Sequence, residues 1–135
     1  MNSNGWGVYL YDSNTNEIIN NTVNLNGGFF DGYSLHLGYG IYLAESSDNI
    51  LANNTAANSN WNGIYLKSSS NNLITGNTAN NNIVGIYLKS SSNNTLVNNA
   101  ANSNTDGISL YSSSSNTLVN NTANSNLAGI RLDSF

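Results

Sequence analysis

The decapeptide GIYLKSSSNN stands twice in this chain, at residues 63–72 and 85–94. Its opening tetrad belongs to a longer series: GVYL at Gly7, GIYL at Gly40, Gly63 and Gly85, GISL at Gly107 and GIRL at Gly129. Successive tetrad glycines lie 33, 23, 22, 22 and 22 residues apart. The long first interval is one period plus an insertion of about 11 residues. A disordered low-complexity tract has no reason to hold apolar residues in phase over so many periods, so the series marks a structural repeat.

Each tetrad alternates its apolar residues: Ile64 and Leu66, Ile86 and Leu88, Ile108 and Leu110. Such alternation predicts a short strand with one face buried. A polar turn follows, SSSNN or SSSSN, and then a second β-prone segment with Ile18, Leu51, Ile74, Leu96 and Leu118 at one register. Asn21, Asn54, Asn77, Asn99 and Asn121 come three residues later, and Val23, Ala56, Ala79, Ala101 and Ala123 two beyond them. Three short strands joined by three turns account for one period. Wound into a coil, each strand pairs with its copy one period on, about 4.8 Å away, so that Ile stacks on Ile, Leu on Leu and Asn on Asn. Asparagine also tolerates the left-handed backbone that tight turns need. The expected fold is all-β, a parallel β-helix of about five coils of about 22 residues, in one domain over residues 1–135. A loop is inserted at about residues 27–39.

Composition narrows the function. The chain holds 31 asparagines and 20 serines, only 7% charged residues, and neither proline nor cysteine. Lacking cysteine, it forms no disulfide and offers no thiolate. Three cations against seven acids cannot neutralise a line of phosphates, so nucleic acid is not an expected partner. No apolar run approaches the roughly 20 residues of a membrane span. The start, MNSNGWGVYL, lacks the features of a signal peptide, and the end, GIRLDSF, falls just after a tetrad. The expectation is a piece of a longer chain with flanking coils or other domains; alternatively Trp6 and Phe135 plug the two ends.

The consensus GIYLxxSSNNxLxxNxAxxNxxGIYL, running through roughly residues 5–132, resembles the parallel β-helix repeat of the NosD-like type, related to the repeats of pectin-lyase-like enzymes. The resemblance implies a right-handed coil and an extracellular, cell-surface or periplasmic setting. It implies little about activity, because such repeats serve in NosD proteins, in surface proteins, and in polysaccharide lyases and hydrolases.

Candidate chemistry is sparse. The acids are Asp12, Glu17, Asp31, Glu45, Asp48, Asp106 and Asp133; the cations are Lys67, Lys89 and Arg131, with one histidine, His36. Glycoside hydrolysis asks for two carboxylates about 5–9.5 Å apart. Asp12, Asp31, Glu45 and Asp48 are the only acids the coil map brings near one another, and solvated turn acids are the commoner meaning of such residues. Lyases of the related type use several carboxylates for calcium and a basic residue for proton abstraction, a cluster not seen here. NosD-like proteins are linked to copper, which draws on His, Cys and Met; here only His36 and Met1 qualify. No catalytic residue, metal site or cofactor is therefore assigned.

The outward positions of the tetrad strand are more informative. One column reads Tyr9, Tyr42, Tyr65, Tyr87, Ser109 and Arg131, the next Tyr11, Ala44, Lys67, Lys89, Tyr111 and Asp133. Alternation predicts that both face solvent. Tyr9, Tyr42, Tyr65, Tyr87, Lys67, Lys89 and Tyr111 are the candidate ligand-binding residues, since sugar rings stack on aromatic faces and lysines pair with uronate or sulfate. Stacked tyrosines also stabilise neighbouring strands without any ligand. The insertion, residues 26–40, suits a binding loop or short hairpin, or a lid in which Phe29, Phe30, Tyr33 and Tyr39 cover the core. Sequons at Asn20, Asn53, Asn93 and Asn120 are what chance gives in so asparagine-rich a chain. The expected function is a non-catalytic structural or adhesive module of a secreted or cell-surface protein, with polysaccharide or other surface proteins as partners. The alternatives are a carbohydrate-binding module using the tyrosine stripe and a polysaccharide-cleaving enzyme.

Overall fold

The fold is described from a computed structural model covering residues 4–30, 32–33 and 35–134, with the backbone alone for Phe29, Phe30, Leu35 and His36. Met1, Asp31 and Phe135 lie outside the described residues. The chain runs β1 (Trp6–Tyr11), β2 (Glu17–Ile19), β3 (Phe29–Phe30), β4 (Leu35–His36), β5 (Tyr39–Ala44), β6 (Ile50–Ala52) and β7 (Asn62–Lys67). It continues through β8 (Leu73–Thr75), β9 (Val84–Lys89), β10 (Thr95–Val97), β11 (Asp106–Tyr111), β12 (Thr117–Val119) and β13 (Ala128–Asp133). Among the described residues no helix is long and apolar enough to cross a membrane.

The tetrad strands form a six-stranded sheet in the order β1-β5-β7-β9-β11-β13, and the second set a five-stranded sheet from β2 to β12, every neighbouring pair parallel. This is a parallel β-solenoid. Registers follow the repeat: Ile41, Ile64, Ile86 and Ile108 pair in series, as do Leu43, Leu66, Leu88 and Leu110. These two columns and Leu51, Ile74 and Leu96 form the core, all fully buried save Leu110 at 5%. The third expected strand shrinks to single bridges linking Thr22, Thr55, Thr78, Ala100 and Thr122. Left-handed residues bracket it closely, Asn53 and Asn58 in one coil and Gly76 and Asn81 in the next, which leaves room for little more than the buried alanine.

Three corners carry stacked polar side chains. At the first, Asn16, Asn49, Asn72, Asn94 and Asn116 run up the solenoid; the backbone N–H of each donates to the Oδ1 of the next at 2.8–2.9 Å. Asn21, Asn54, Asn77, Asn99 and Asn121 repeat the pattern at the second. Asn82, Asn104 and Asn126 do so at the third, with Ser59 at the foot. A serine column, Ser13 to Ser46 to Ser69 to Ser91 to Ser113, runs beside the first. The backbone N–H groups of these buried corners are thereby paired within the protein, as a continuous interior requires, although the Ser59 hydroxyl at the foot of the third corner has no partner.

The insertion forms a small antiparallel hairpin, β3 against β4, with Phe29 opposite His36. Tyr33 is 95% exposed and Tyr39 enters β5, so neither covers the core. Trp6 packs on Tyr9 at 4.6 Å, on the outer side of the sheet, and plugs no end.

Candidate functional site

The outer face of the six-stranded sheet carries the tyrosine column, built by its parallel in-register pairing. Ring centroids lie 5.1 Å apart for Tyr9 and Tyr42, 4.9 Å for Tyr42 and Tyr65, and 5.1 Å for Tyr65 and Tyr87, with the last two pairs within 10° of parallel. Tyr39 leans across them, 5.1 Å from Tyr42 and 5.2 Å from Tyr65.

This packing corrects the expectation that both columns face solvent at three positions, while Tyr9 and Tyr11 remain 42% and 59% exposed. Tyr65 is only 7% exposed, and Ala44 and Ser109 are each at 5%. The rung spacing of about 4.8 Å is close to ring-stacking distance, so each tyrosine covers the faces of its neighbours. Tyr42 and Tyr65, with a ring on either side, have no free face for a sugar.

Burial shows in the phenols. It raises Tyr39 from the ordinary 10.0 to about 12, with Tyr42 and Tyr87 adding to the effect. Tyr65 is pushed higher still, again chiefly by burial. The unfolded chain loses these protons first, so folding is opposed once pH passes the ordinary phenol value. The melting temperature should stay level to about pH 10 and fall between there and pH 12. A melting temperature level through that window, with all phenols titrating together by ultraviolet absorbance, would contradict the packing.

The stack stops at Ser109, whose small side chain follows Tyr87 in the column. Beside it a trough of about 500 Å³ opens, walled by Trp61, Ile83, Val84, Tyr87 and Tyr111 and floored by Asn62 and Ser109. Its polar end is an ion triplet: Arg131 Nε donates to Asp133 Oδ2 at 2.7 Å, and Arg131 Nη1 lies 3.6 Å from Asp106 Oδ2. Those carboxylates, Asp133 first, hold the guanidinium above its usual range. Lys89 Nζ sits 5.6 Å over the Tyr111 ring, a cation–π contact, while Lys67 is exposed.

Of the candidate residues, then, Tyr87 and Tyr111 come together in the trough, Lys89 borders it, and Tyr9, Tyr42, Tyr65 and Lys67 stand away from it. Trp61, Asn62, Asp106 and Arg131 were not among the candidates. The pairs just before each tetrad glycine (Trp61-Asn62, Ile83-Val84, Thr105-Asp106) carried a signal in their mixture of bulky and polar residues. A second hollow of about 630 Å³, lined by Leu110, Leu118, Ile130 and Leu132 with serines, is the open end of the core. Asp12 and Glu45 occupy equivalent left-handed turn positions on adjacent rungs. Among the described residues no three His, Cys, Asp or Glu side chains gather as metal ligands.

Residues 1–134 match a protein family described as periplasmic copper-binding protein (NosD). No curated protein matches the chain. Among solved structures, a mutant form of the periplasmic alginate epimerase AlgG is similar over 87% of this chain and 27% of its own, with a TM-score of 0.77 and 25% identity. A second AlgG structure covers 87% of this chain and 32% of its own, with a TM-score of 0.71 and 22% identity. The chain thus spans about a third or less of the epimerase.

Proposed function

The chain belongs to the NosD family, and from that premise we propose that it is a non-catalytic β-solenoid module of a periplasmic protein that binds glycan chains on the outer face of its tetrad sheet. The trough beside Tyr87 carries this reading: an aromatic and apolar wall, on which a sugar ring can stack, facing a fixed set of donors and acceptors, the usual make-up of a small-ligand site. A polysaccharide in the name of the similar epimerase supports it. The donor set does not fit copper. The chain has no cysteine, one histidine and its only methionine at position 1, short of what a copper centre takes. Against catalysis stands the pairing of both trough carboxylates with one guanidinium, which leaves neither poised on a bond between sugars.

Affinity electrophoresis through gels containing neutral or acidic polysaccharides tests the proposal. Tyr87→Ala should weaken retardation about tenfold, a loss of about 1.4 kcal/mol. Tyr42→Ala, outside the trough, should leave it within about twofold. Unretarded migration in every gel would end the glycan reading.

A further inference from the structure

This inference rests on the glycan-binding reading and narrows it. We propose that the trough selects uncharged sugars bearing adjacent hydroxyls and rejects polyuronates, the acidic class to which alginate belongs.

The charges point this way. Arg131 is held by Asp133 and Asp106, so the polar end of the trough presents two carboxylates around one cation. Lys89 lies over Tyr111, and the whole chain has a net charge of −4. A uronate entering here would set its carboxylate against Asp106 and Asp133, where the one guanidinium is already paired with both and Lys89 stands at the border over the Tyr111 ring. Adjacent sugar hydroxyls instead offer donors to the carboxylates and acceptors to the outward N–H groups of Arg131, which is 54% exposed.

Asn62 supplies a second, independent sign. It is 1% exposed, yet neither its amide nitrogen nor its amide oxygen has a hydrogen-bond partner. Its neighbour in the next rung at the same register is Val84. An unpaired buried amide is costly, and most buried polar groups are bonded. A hydroxyl can both donate and accept, and so completes both amide groups; a carboxylate only accepts. The rim residue Trp61, 41% exposed, is the side chain whose shift would admit it.

Retardation should be measured in gels of hydroxyethyl cellulose, galactomannan, alginate and polygalacturonate, at about 0.02 M and about 0.5 M salt. A neutral polysaccharide should bind at least tenfold more tightly than alginate or polygalacturonate, with little change on adding salt. Asn62→Val should weaken the neutral glycan about tenfold while raising the melting temperature by a few degrees, a pairing that a purely structural asparagine would not give. Asp106→Asn with Asp133→Asn releases Arg131 and should create salt-sensitive alginate binding. Alginate bound by the unaltered chain as tightly as neutral glycan, and released by salt, would overturn the inference while leaving the glycan reading intact. No retardation by any of the four would remove both.

Discussion

Replacing Asn77 with alanine should destabilise the fold by about 4 kcal/mol or more. Its Oδ1 accepts from the Asn54 backbone N–H at 2.9 Å and from Asn54 Nδ2 at 3.0 Å. Its Nδ2 donates to Leu51 O at 2.8 Å and to Asn99 Oδ1 at 3.0 Å. All four bonds are buried, and alanine leaves the Asn54 backbone N–H without its partner and takes a donor from Leu51 O where water does not reach, while Asn54 Nδ2 keeps Ile18 O and Asn99 Oδ1 keeps the backbone N–H of residue 77. Each such orphan costs about 1–3 kcal/mol, against roughly 1 kcal/mol for a bond lost where water can substitute. The melting temperature should fall by about 10 °C or more. The same change at Asn121 ends the column, and its site is half-open to solvent, so the loss should be less than half as large. Urea unfolding followed by circular dichroism reads both. Equal, small losses at the two positions would mean that the stacked amides contribute nothing cooperative.

That contrast bears on what the sequence discloses. The tetrad period sufficed to place Ile64 over Ile86 and Leu66 over Leu88, because apolar residues have one place to go. It also located the column through Asn77, which sits at fixed distances from apolar neighbours on both sides. The columns through Asn72 and Asn82 were hidden in runs such as SSSNN, where polarity does not separate inward from outward. There Ser69 and Asn72 are buried, while Ser68 and Asn71 are exposed. Alternation likewise put the tyrosines on the outer face but could not foresee that ring stacking would bury Tyr65. The trough depends on a break in that stack at Ser109 and on Arg131 reaching two carboxylates, Asp106 and Asp133, 25 and 2 residues away along the chain. A one-dimensional pattern reports repeats more readily than the places where they lapse.

The glycine of the tetrad looks like a turn residue chosen for backbone freedom, and the structure gives it a different task. Among the described residues the only glycines with positive φ are Gly32 and Gly76, neither in a tetrad. What Gly85 lacks is room. A Cβ there would lie 2.6 Å from Gly107 O, 2.7 Å from Asn104 Nδ2 and 2.8 Å from the Ala101 Cβ. The first is backbone of the next rung, and the second is tied to Ala79 O at 3.0 Å, so neither yields cheaply. Gly85→Ala should therefore cost about 3 kcal/mol or more, at the upper end of overpacking, and loosen the third corner on which the outer face rests. Gly129→Ala is the control, since its nearest contacts would be Ala123 O at 3.2 Å and Ala123 Cβ at 3.9 Å. It should cost less than about 1 kcal/mol. Adding Ala101→Gly to Gly85→Ala removes the methyl clash but leaves the carbonyl of Gly107 in place, so it should restore only part of the loss. If Gly85→Ala and Gly129→Ala melt alike, the rungs separate easily enough to admit a methyl group, and close backbone approach is not what keeps glycine in the repeat.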